Sequence, residues 1–454
     1  MWAQTVSSST HVRVGALFVT LIPLSYCSWR LRPKLQHDES NVSSSSQLSS
    51  NEWQEQWLNT DLLQPFDSTA IQVKCNETEW NQNLVFDLHN GNGGIGNVRA
   101  QVTDFVFYAM EMGASIVLPS MAARQDDNLV DVWSAGEEDF SYMFDEVWFR
   151  ESIAEACPQM VVYGHDEVEA GWRKVEQTYD ARVPRARKHS TKEEWVQQTK
   201  TWLADHSVTS NTRTVVNVER DEWETNTRGE RAEFRLALGM LFRTRQDMRR
   251  YAAAATHSLA VKYGIEMLPW ASLHPRAYYG AHLRTESDTI AAGWLAAPSS
   301  TEVGLDFAAQ TDYYMEAAIA NDLSVIFAAS GNMSEIGRFK VKAASSRPPL
   351  TVVSKWDLLS TDESESLRGM HWDQQALVDL EILKRCSVFG GMAKSSYAFL
   401  IAMARTAWME QHKMVQDPWF APHEDAMVAF DNKLNKIWGR NQVNEERVPT
   451  GAWP

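Results

Sequence analysis

The sequence predicts an α/β protein in which two halves each alternate strands with helices. In the first half, an apolar run of strand length at 84–88 precedes a glycine loop at 91–99 and a run of apolar residues at helical spacing. In the second half, the same alternation recurs between residues 277 and 403. Such alternation is typical of parallel sheets covered by helices on both faces. Two such halves would leave a cleft between the carboxyl edges of their sheets, where open α/β sheets bind ligands.

The first half opens on a predicted βαβ unit. Residues 84–88 and residues 114–118 are the two strands. The helix between them is predicted from apolar residues at helical spacing, namely Val98, Val102, Phe105, Val106, Ala109 and Met110. Because the crossover of such a unit is right-handed, the strands are parallel neighbours and the glycine loop lies at the carboxyl edge of the sheet.

The glycine loop is the first candidate for ligand binding. Glycine has no Cβ, so main-chain N–H groups can approach a phosphate or sugar closely, and the amino end of the following helix adds unpaired N–H groups. Glycines also end strands for purely structural reasons, and both interpretations stay open on this evidence. The spacing is not that of a dinucleotide-binding fingerprint. The loop makes a nucleotide-utilising enzyme the first hypothesis.

The second half is predicted as strands and helices in alternation. The strands are 277–283, 324–329, 350–353 and 387–391, and the helices are 312–320, 375–383 and 397–405. Strand alternation puts His282 and Arg284 on one side at the end of the first strand, where a guanidinium can hold a phosphate oxygen. Ser395 and Ser396 precede a helix and are candidate N-caps that could also bind phosphate.

Two acidic residues share the predicted helix 375–383. Asp379 could accept a hydrogen bond from a purine amino group, whereas Glu381 lies about 200° further round the helix. Only one of the two can therefore face the cleft. Each of these residues also has an ordinary structural interpretation, as an ion pair, a helix cap or a solvated carboxylate. Their joint position at carboxyl edges favours a binding site.

The composition excludes some classes of function. The chain has 454 residues, enough for two or three domains, and a formal net charge of −16 with a pI of about 5.3. A general nucleic-acid binder needs a basic face, so no nucleic-acid partner is expected. No Cys/His set has zinc spacing and no Asp-x-Asp occurs, so no metal site is predicted. Cys27 lies in an apolar leader, which leaves Cys75, Cys157 and Cys386 for at most one disulfide.

The amino terminus carries the single candidate membrane segment of the sequence, residues 14–29, which is apolar, uncharged and interrupted by Pro23. A signal anchor, a cleaved signal peptide and a buried amphipathic leader are all compatible with it. The polar stretch 36–51 resembles a stalk and favours an anchor. The expected location is the ER or Golgi membrane, with a single span and a lumenal catalytic domain, and Asn41, Asn76 and Asn332 are potential N-glycosylation sites. The basic residues flanking the segment favour the opposite orientation.

These features predict a domain organisation in five parts. They are a signal anchor or signal peptide region at 1–35, a polar stalk at 36–79, an N-terminal α/β domain at 80–270, a C-terminal α/β domain at 271–440 and a tail at 441–454.

At this point the motifs resemble a known family, the GDP-fucose protein O-fucosyltransferases and their α1,6-fucosyltransferase relatives. The similar segments occur in the family's order over about 320 residues, which is far more specific than any one motif. One departure is Tyr397, where the family usually has Phe. The segments are 93–97 with the strand 114–119, 140–152, 282–288 with its His-Leu-Arg start, 378–380 and 395–397.

The resemblance implies a GT-B fold, in which two Rossmann-like domains enclose a cleft, and a metal-independent, inverting transfer. The domain at 80–270 would be the acceptor-side domain, and the domain at 271–440 would bind the nucleotide sugar. The resemblance implies no cofactor other than the GDP-sugar donor. Gly94, Ile95, Gly96 and Asn97 would line the sugar side of the donor, and Asp379 would read guanine or ribose. His282, Leu283 and Arg284 would hold the nucleotide sugar, with Arg284 on the diphosphate, and Ser395, Ser396 and Tyr397 would hold the phosphates.

The expected function is therefore transfer of fucose from GDP-fucose to a hydroxyl of a protein or glycan. Arg284, Asn97 and Glu286 are the candidate catalytic residues, with Glu286 or Asp288 able to deprotonate the acceptor. Two alternatives remain open at this stage. One is a GT-B enzyme that uses another nucleotide sugar or a small acceptor, and the other is a non-catalytic sugar-binding protein on the same scaffold.

Overall fold

A computed structural model describes residues 48–124, 128–131, 136–175, 191–218, 229–291, 305–415, 428–439 and 453–454. Residues 1–44 separate from 45–454 as a unit of their own, and none of them is described. The predicted hydrophobic segment at 14–29 and Asn41 therefore lie outside the described residues. In the described part of the chain, no helix has both the length and the apolar character needed to cross a membrane.

The first half, up to residue 263, contains seven helices and seven strands in its described residues. The helices are α1 (Ser50–Leu58), α2 (Thr69–Glu77), α3 (Ile95–Met112), α4 (Glu146–Ala156), α5 (Lys192–Asp205), α6 (Ala232–Met240) and α7 (Gln246–Tyr263). The strands are β1 (Leu84–Asp87), β2 (Ser115–Val117), β3 (Met121–Ala122), β4 (Glu137–Glu138), β5 (Val162–Tyr163), β6 (Arg173–Val175) and β7 (Thr214–Asn217).

The second half follows the predicted alternation. Its helices are α8 (Ser287–Ala291), α9 (Phe307–Ala320), α10 (Met333–Ala344), α11 (Thr361–Arg368), α12 (Trp372–Lys384) and α13 (Ser396–Gln411). Its strands are β8 (Tyr279–His282), β9 (Val325–Ala329), β10 (Thr351–Val353), β11 (Val388–Met392), β12 (Val428–Asp431) and β13 (Asn435–Trp438).

Each half is built on its own sheet. The first has the strand order β5-β2-β1-β7-β6 and is parallel throughout, so the predicted neighbours β1 and β2 are confirmed. The second has the order β10-β9-β8-β11-β13-β12, and β12 is antiparallel to β13. The predicted architecture, two Rossmann-like domains, is confirmed.

Helices from the two halves pack together behind the cleft. Helix α3 packs on α13, and α7 packs on α12. Most of the buried apolar side chains of these four helices belong to one continuous hydrophobic cluster. Because this cluster joins the two halves, it fixes the distance between the carboxyl edges of the two sheets.

The prediction of a polar stalk at 36–79 is wrong from residue 48 onward. Helices α1 and α2 lie in this range, and Trp53, Trp57 and Cys75 are buried in the core of the first half. Cys75 forms a disulfide with Cys157 at the end of α4, while Cys386 is a free, buried thiol. The stretch is polar on average because only one face of each short helix is apolar.

The prediction of a tail at 441–454 also differs from the structure at its end. Trp453 is 2% exposed, packs against Phe107 and donates a hydrogen bond of 2.6 Å to Asp104 on α3. A single aromatic residue gives no periodic signal, so the sequence pattern does not reveal this contact.

Candidate active site

A cleft of about 370 Å³ separates the carboxyl edges of the two sheets. The first half contributes the glycine loop after β1 and Arg124. The second half contributes the residues that follow β8, β9, β10 and β11, together with the exposed side of α12. The predicted residues that line it are Gly94, Ile95, Asn97, His282, Arg284, Glu286, Asp379, Ser395, Ser396 and Tyr397.

Arg284 follows β8 and lies between two carboxylates. Its guanidinium donates to Glu286 at 2.7 Å and to both oxygens of Asp288 at 2.9 and 2.6 Å. Burial alone would lower the pKa of Arg284, but the Glu286 and Asp288 carboxylates raise it overall. The guanidinium is therefore a permanent cation, held in one orientation at the cleft wall.

Glu286 is buried and fully engaged by hydrogen bonds. Besides Arg284, it accepts from the Ser330 hydroxyl at 3.0 Å and from the Gly331 N–H at 2.9 Å. Burial raises the pKa of its carboxyl, yet the Arg284 cation and these hydrogen bonds lower the pKa overall. A carboxylate with a lowered pKa and occupied oxygens is a poor proton acceptor, so this geometry suits holding Arg284 better than the predicted catalytic role.

His282, the last residue of β8, is buried beside the amino end of α13. Its Nδ1 lies 3.4 Å from the Ser395 hydroxyl, and its ring lies 4.7 Å from the ring of Tyr397. Burial lowers the pKa of His282 to about 4. The imidazole is therefore neutral at physiological pH and available as a hydrogen-bonding group.

Helix α13 begins at the cleft, as the sequence predicts. The Ser395 hydroxyl caps it by accepting from the Ala398 N–H at 3.3 Å, and Ser396 is the first helical residue. Tyr397 donates from its hydroxyl to the Ala376 carbonyl at 2.9 Å and so ties α13 to α12. Tyr397, where the family usually has Phe, therefore adds a hydrogen bond between the two helices. The amino end of α13 presents N–H groups and a partial positive charge to the cleft.

The glycine loop forms the opposite wall. Gly94 precedes α3 in an extended conformation, and Asn97 stands in the first turn. Gly93 has a φ of 96°, and a Cβ there would meet the Asn97 side chain at 2.6 Å, so glycine is required. Gly96 does not line the cleft but contacts α13 instead.

Leu283 also lies away from the cleft, although it was predicted with His282 and Arg284. Its side chain is buried in the hydrophobic cluster on the other face of the second sheet. Strand alternation explains the difference, because residues 282 and 284 share one side and residue 283 points to the other.

Asp379 faces the cleft from α12 and Glu381 faces away, as the helical spacing predicts. Asp379 pairs with buried Lys355 at 2.5 Å. Burial raises the pKa of Asp379, and the Lys355 cation opposes this. Glu381 instead accepts from Thr244 at 2.7 Å on the far side of the helix.

Several cleft residues were missed by the sequence reasoning. Most are single residues after a strand or on a helix with no motif around them, so position in the predicted fold is the only signal for them. Asp288 and Lys394 lie within or next to the motif segments 282–288 and 395–397, but the motifs do not show their structural contacts. The missed residues are Arg124, Asp288 as a structural partner, Lys355, Trp356, Arg368, Trp372 and Lys394.

The described cleft residues suit an anionic ligand. Five cations line the cleft, Arg124, Arg284, Lys355, Arg368 and Lys394, against three carboxylates, Glu286, Asp288 and Asp379. Within the described ranges, no three His, Cys, Asp or Glu side chains are grouped so as to hold a metal ion. Fixed guanidinium groups and helix N–H groups can stabilise developing negative charge on a departing phosphate.

Comparisons with known proteins identify the family of this chain. The family model for GDP-fucose protein O-fucosyltransferase matches residues 84–407, well over half of the chain. No curated protein sequence matches. The similar solved structures include POFUT1 in complex with GDP, at 12% identity and a TM-score of 0.45, covering 72% of this chain and 96% of that one.

Two further solved structures are similar at lower scores. NodZ α-1,6-fucosyltransferase soaked with GDP-fucose has 13% identity and a TM-score of 0.38, covering 72% of this chain and 92% of that one. A variant of Arabidopsis thaliana FUT1 in complex with GDP has 9% identity and a TM-score of 0.38, covering 80% of this chain and 77% of that one. It is the family match, over 84–407, which shows that this chain belongs to the GDP-fucose protein O-fucosyltransferase family and is a fucosyltransferase.

Proposed function

We propose that the protein transfers fucose from GDP-fucose to a hydroxyl of a protein or glycan acceptor, with inversion at the transferred carbon and without a metal ion. One observation carries the proposal. Arg284 and the amino end of α13 open onto one cleft, opposite the glycine loop at Gly94 and Asn97. This arrangement offers a cation and N–H donors for a diphosphate and, facing them, a glycine wall for a sugar.

The transfer requires stabilisation of a leaving diphosphate. The acceptor oxygen forms a bond to the anomeric carbon from one face, while the bond from that carbon to the phosphate oxygen breaks on the other. The electron pair leaves with GDP, whose added charge Arg284 and the α13 N–H groups offset. Removing one such donor typically costs about 100- to 1000-fold in rate.

In this proposal Glu286 and Asp288 orient Arg284 rather than deprotonate the acceptor. Both carboxylates are held by guanidinium hydrogen bonds. Asn97 and Gly94 would contact the sugar, Ser395 and Ser396 the phosphates, and Asp379 the base. The acceptor proton would pass to a group other than these two carboxylates.

The proposal is tested by incubating the full chain with GDP-fucose and a mixture of glycoprotein and glycan acceptors. GDP release and fucosylated product are expected, at equal rates with and without EDTA, and the product linkage should have the opposite anomeric configuration to the donor. Loss of activity with EDTA would refute metal independence, and retained configuration would refute inversion. Absence of both transfer and hydrolysis would favour a non-catalytic sugar-binding protein on this scaffold.

A second candidate function is transfer from another nucleotide sugar or to a small acceptor. The five cations of the cleft bind any diphosphate, so they do not select guanine by themselves. Thermal shifts with GDP, UDP and ADP separate these cases, because the preferred diphosphate raises the midpoint of unfolding most. A larger shift with UDP or ADP than with GDP would favour this second candidate.

We also propose that the protein is a single-pass protein of the ER or Golgi membrane with a lumenal catalytic domain. The Cys75–Cys157 disulfide supports an oxidising compartment, and Asn76 is exposed in an Asn-Glu-Thr acceptor triplet for N-glycosylation. Treatment of the cell-expressed full chain with an N-glycosidase should lower its apparent mass. An unchanged mass, together with recovery in the cytosolic fraction, would contradict this proposal.

A further inference from the structure

We propose that Arg124, from the first half, binds the sugar-linked phosphate of the donor together with Arg284 and so contributes to departure of the diphosphate. This inference rests on the proposed function and adds to it a catalytic residue from the acceptor-side half. The observations that carry it are the shared partner of the two guanidiniums, the burial of Arg124 and its place beside the glycine loop.

The main chain of Arg124 is fixed by the second half. Its N–H donates to the Asp373 carboxylate on α12 at 3.3 Å, and the other oxygen of Asp373 accepts from the Tyr142 hydroxyl at 2.6 Å. Arg124 is 4% exposed and lines the cleft. A buried arginine held in this way is positioned for one task, because it has little freedom to reorient.

The guanidiniums of Arg124 and Arg284 converge on a single oxygen. Asp288 Oδ2 accepts from Arg124 at 3.2 Å and from Arg284 at 2.6 Å. Carboxylate and phosphoryl oxygens are equivalent acceptors for guanidinium groups. A phosphoryl oxygen that binds beside Asp288 Oδ2 is therefore near guanidinium groups from both halves and can accept from them.

The Arg124 side chain makes further contacts along the wall of the cleft. The guanidinium lies over the Trp372 ring at 5.1 Å and donates to the Leu129 carbonyl. Its Nη1 is the nearest heavy atom to a Cβ built on Gly94, at 3.9 Å. The buried Nε has no hydrogen-bond partner among the described residues. The side chain thus borders the glycine loop, where the sugar of the donor would lie, and keeps an unused donor.

This position assigns a phosphate to Arg124. Arg124 Nη1 borders Gly94, which contacts the sugar in the proposed function. The phosphate attached to the sugar is the nearer one. When the bond between the anomeric carbon and this phosphate breaks, the electron pair goes to the phosphate oxygen, and Arg124 and Arg284 offset the new charge together.

The competing explanation is that Arg124 has only a structural role, to hold Leu129 in place through its carbonyl. The two explanations differ in one measurable quantity, the ratio of the affinities for GDP and GMP. GMP lacks the sugar-linked phosphate. Loss of a phosphate contact lowers the affinity for GDP alone, whereas loss of a structural bond lowers the affinities for both nucleotides.

The experiment measures GDP and GMP binding to the full chain by isothermal titration calorimetry. In Arg124→Gln the affinity for GDP should fall by about tenfold or more, the usual effect of losing a charge-assisted hydrogen bond, and the affinity for GMP should stay within about twofold. In Arg124→Lys, which keeps the charge, the affinity for GDP should fall less than in Arg124→Gln. Arg338→Gln, a control on the exposed face of α10, should change neither affinity.

The inference would be overturned if the ratio of the affinities for GDP and GMP is unchanged in both Arg124 variants. It would also be overturned if both affinities fall equally. If Arg124→Gln does not fold, Arg124→Lys decides alone, because a lysine reaches only one acceptor and should still lower the ratio. Wild-type protein that binds no GDP would refute the proposed function itself, a result distinct from an unchanged ratio in the variants.

Discussion

Gly96 of α3 lies against the main chain of Ser396 of α13, so that a Cβ at position 96 would stand 2.5 Å from the Ser396 carbonyl carbon. The two helices begin at opposite walls of the cleft. Their close approach at Gly96 sets how far the glycine loop stands from the amino end of α13. The glycine that the resemblance placed beside the sugar thus acts as a spacer between the halves.

Gly96→Ala should therefore push the two walls apart. The added methyl group has no room beside a main chain, and such overpacking typically costs about 1–3 kcal/mol of stability. We expect this loss in urea unfolding, with a loss of transfer activity. In the control Gly94→Ala, the nearest atom to the new Cβ is 3.9 Å away, so stability should stay within about 1 kcal/mol. Equal stabilities for the two variants would contradict the spacer role.

Substituting Lys355 alone should lower the stability of the protein more than substituting both Lys355 and Asp379. Both side chains are buried, so Lys355→Met leaves an unpaired carboxylate and should cost about 3–5 kcal/mol. Adding Asp379→Asn removes that charge and should restore part of the stability without restoring GDP binding. Urea unfolding and calorimetry of the same samples check this. A double variant less stable than Lys355→Met would refute the buried-pair account.

Low pH should destabilise the fold through its buried histidines. Burial lowers the pKa of His274 to about 3, with Arg385 adding to the effect, against about 6.5 in the unfolded chain. Because the folded pKa is depressed, this contribution to stability is complete above pH 6.5 and is lost as the pH falls toward 3.

His274→Gln should therefore lose less stability than wild type when the pH falls from 6.5 to 4, by up to about 1.4 kcal/mol per pH unit. The measurement is urea unfolding at several pH values. His282, with a pKa of about 4, is present in both proteins and adds the same pH dependence of stability to each. Parallel stability curves for the variant and wild type would contradict a buried, neutral His274.

The Cys75–Cys157 disulfide should stabilise the first half. It joins α2 to α4 across 82 residues, and removing a bridge of this kind typically costs about 2–5 kcal/mol. Cys75→Ala combined with Cys157→Ala should lower the midpoint of thermal unfolding, and reductant should lower it only in wild type. Unaltered unfolding of reduced wild type would show that the bridge is not stabilising.

The sequence predicts the fold well where a pattern repeats. Alternating strands and helices place β8 to β11, and helical spacing separates Asp379 from Glu381. Patterns fail where one residue acts through distant partners. Trp57 and Trp453 are buried in stretches of low periodicity, which is why the stalk and tail predictions differ from the structure.

Motifs in the sequence predict the site residues that belong to them. The supporting residues outside these motifs cannot be predicted in this way. Arg284 and Ser395 belong to recognisable stretches, whereas Arg124 and Lys355 are isolated cations after short strands. Their importance comes from contacts with Asp288 and Asp379, far away in the chain. Pairings at such sequence separations depend on how the two halves pack, which local pattern does not encode.

In the proposed transfer Arg284 stabilises the departing diphosphate, and Arg284→Lys probes this role with the charge preserved. Lysine keeps the charge that Glu286 and Asp288 need, so the variant should fold, but it lacks the planar group that binds two acceptors at once. The measurement is the rate of GDP-fucose turnover by folded wild type and variant at saturating donor. We expect at least about a 100-fold loss in kcat for Arg284→Lys. Undiminished turnover by the folded variant would contradict it.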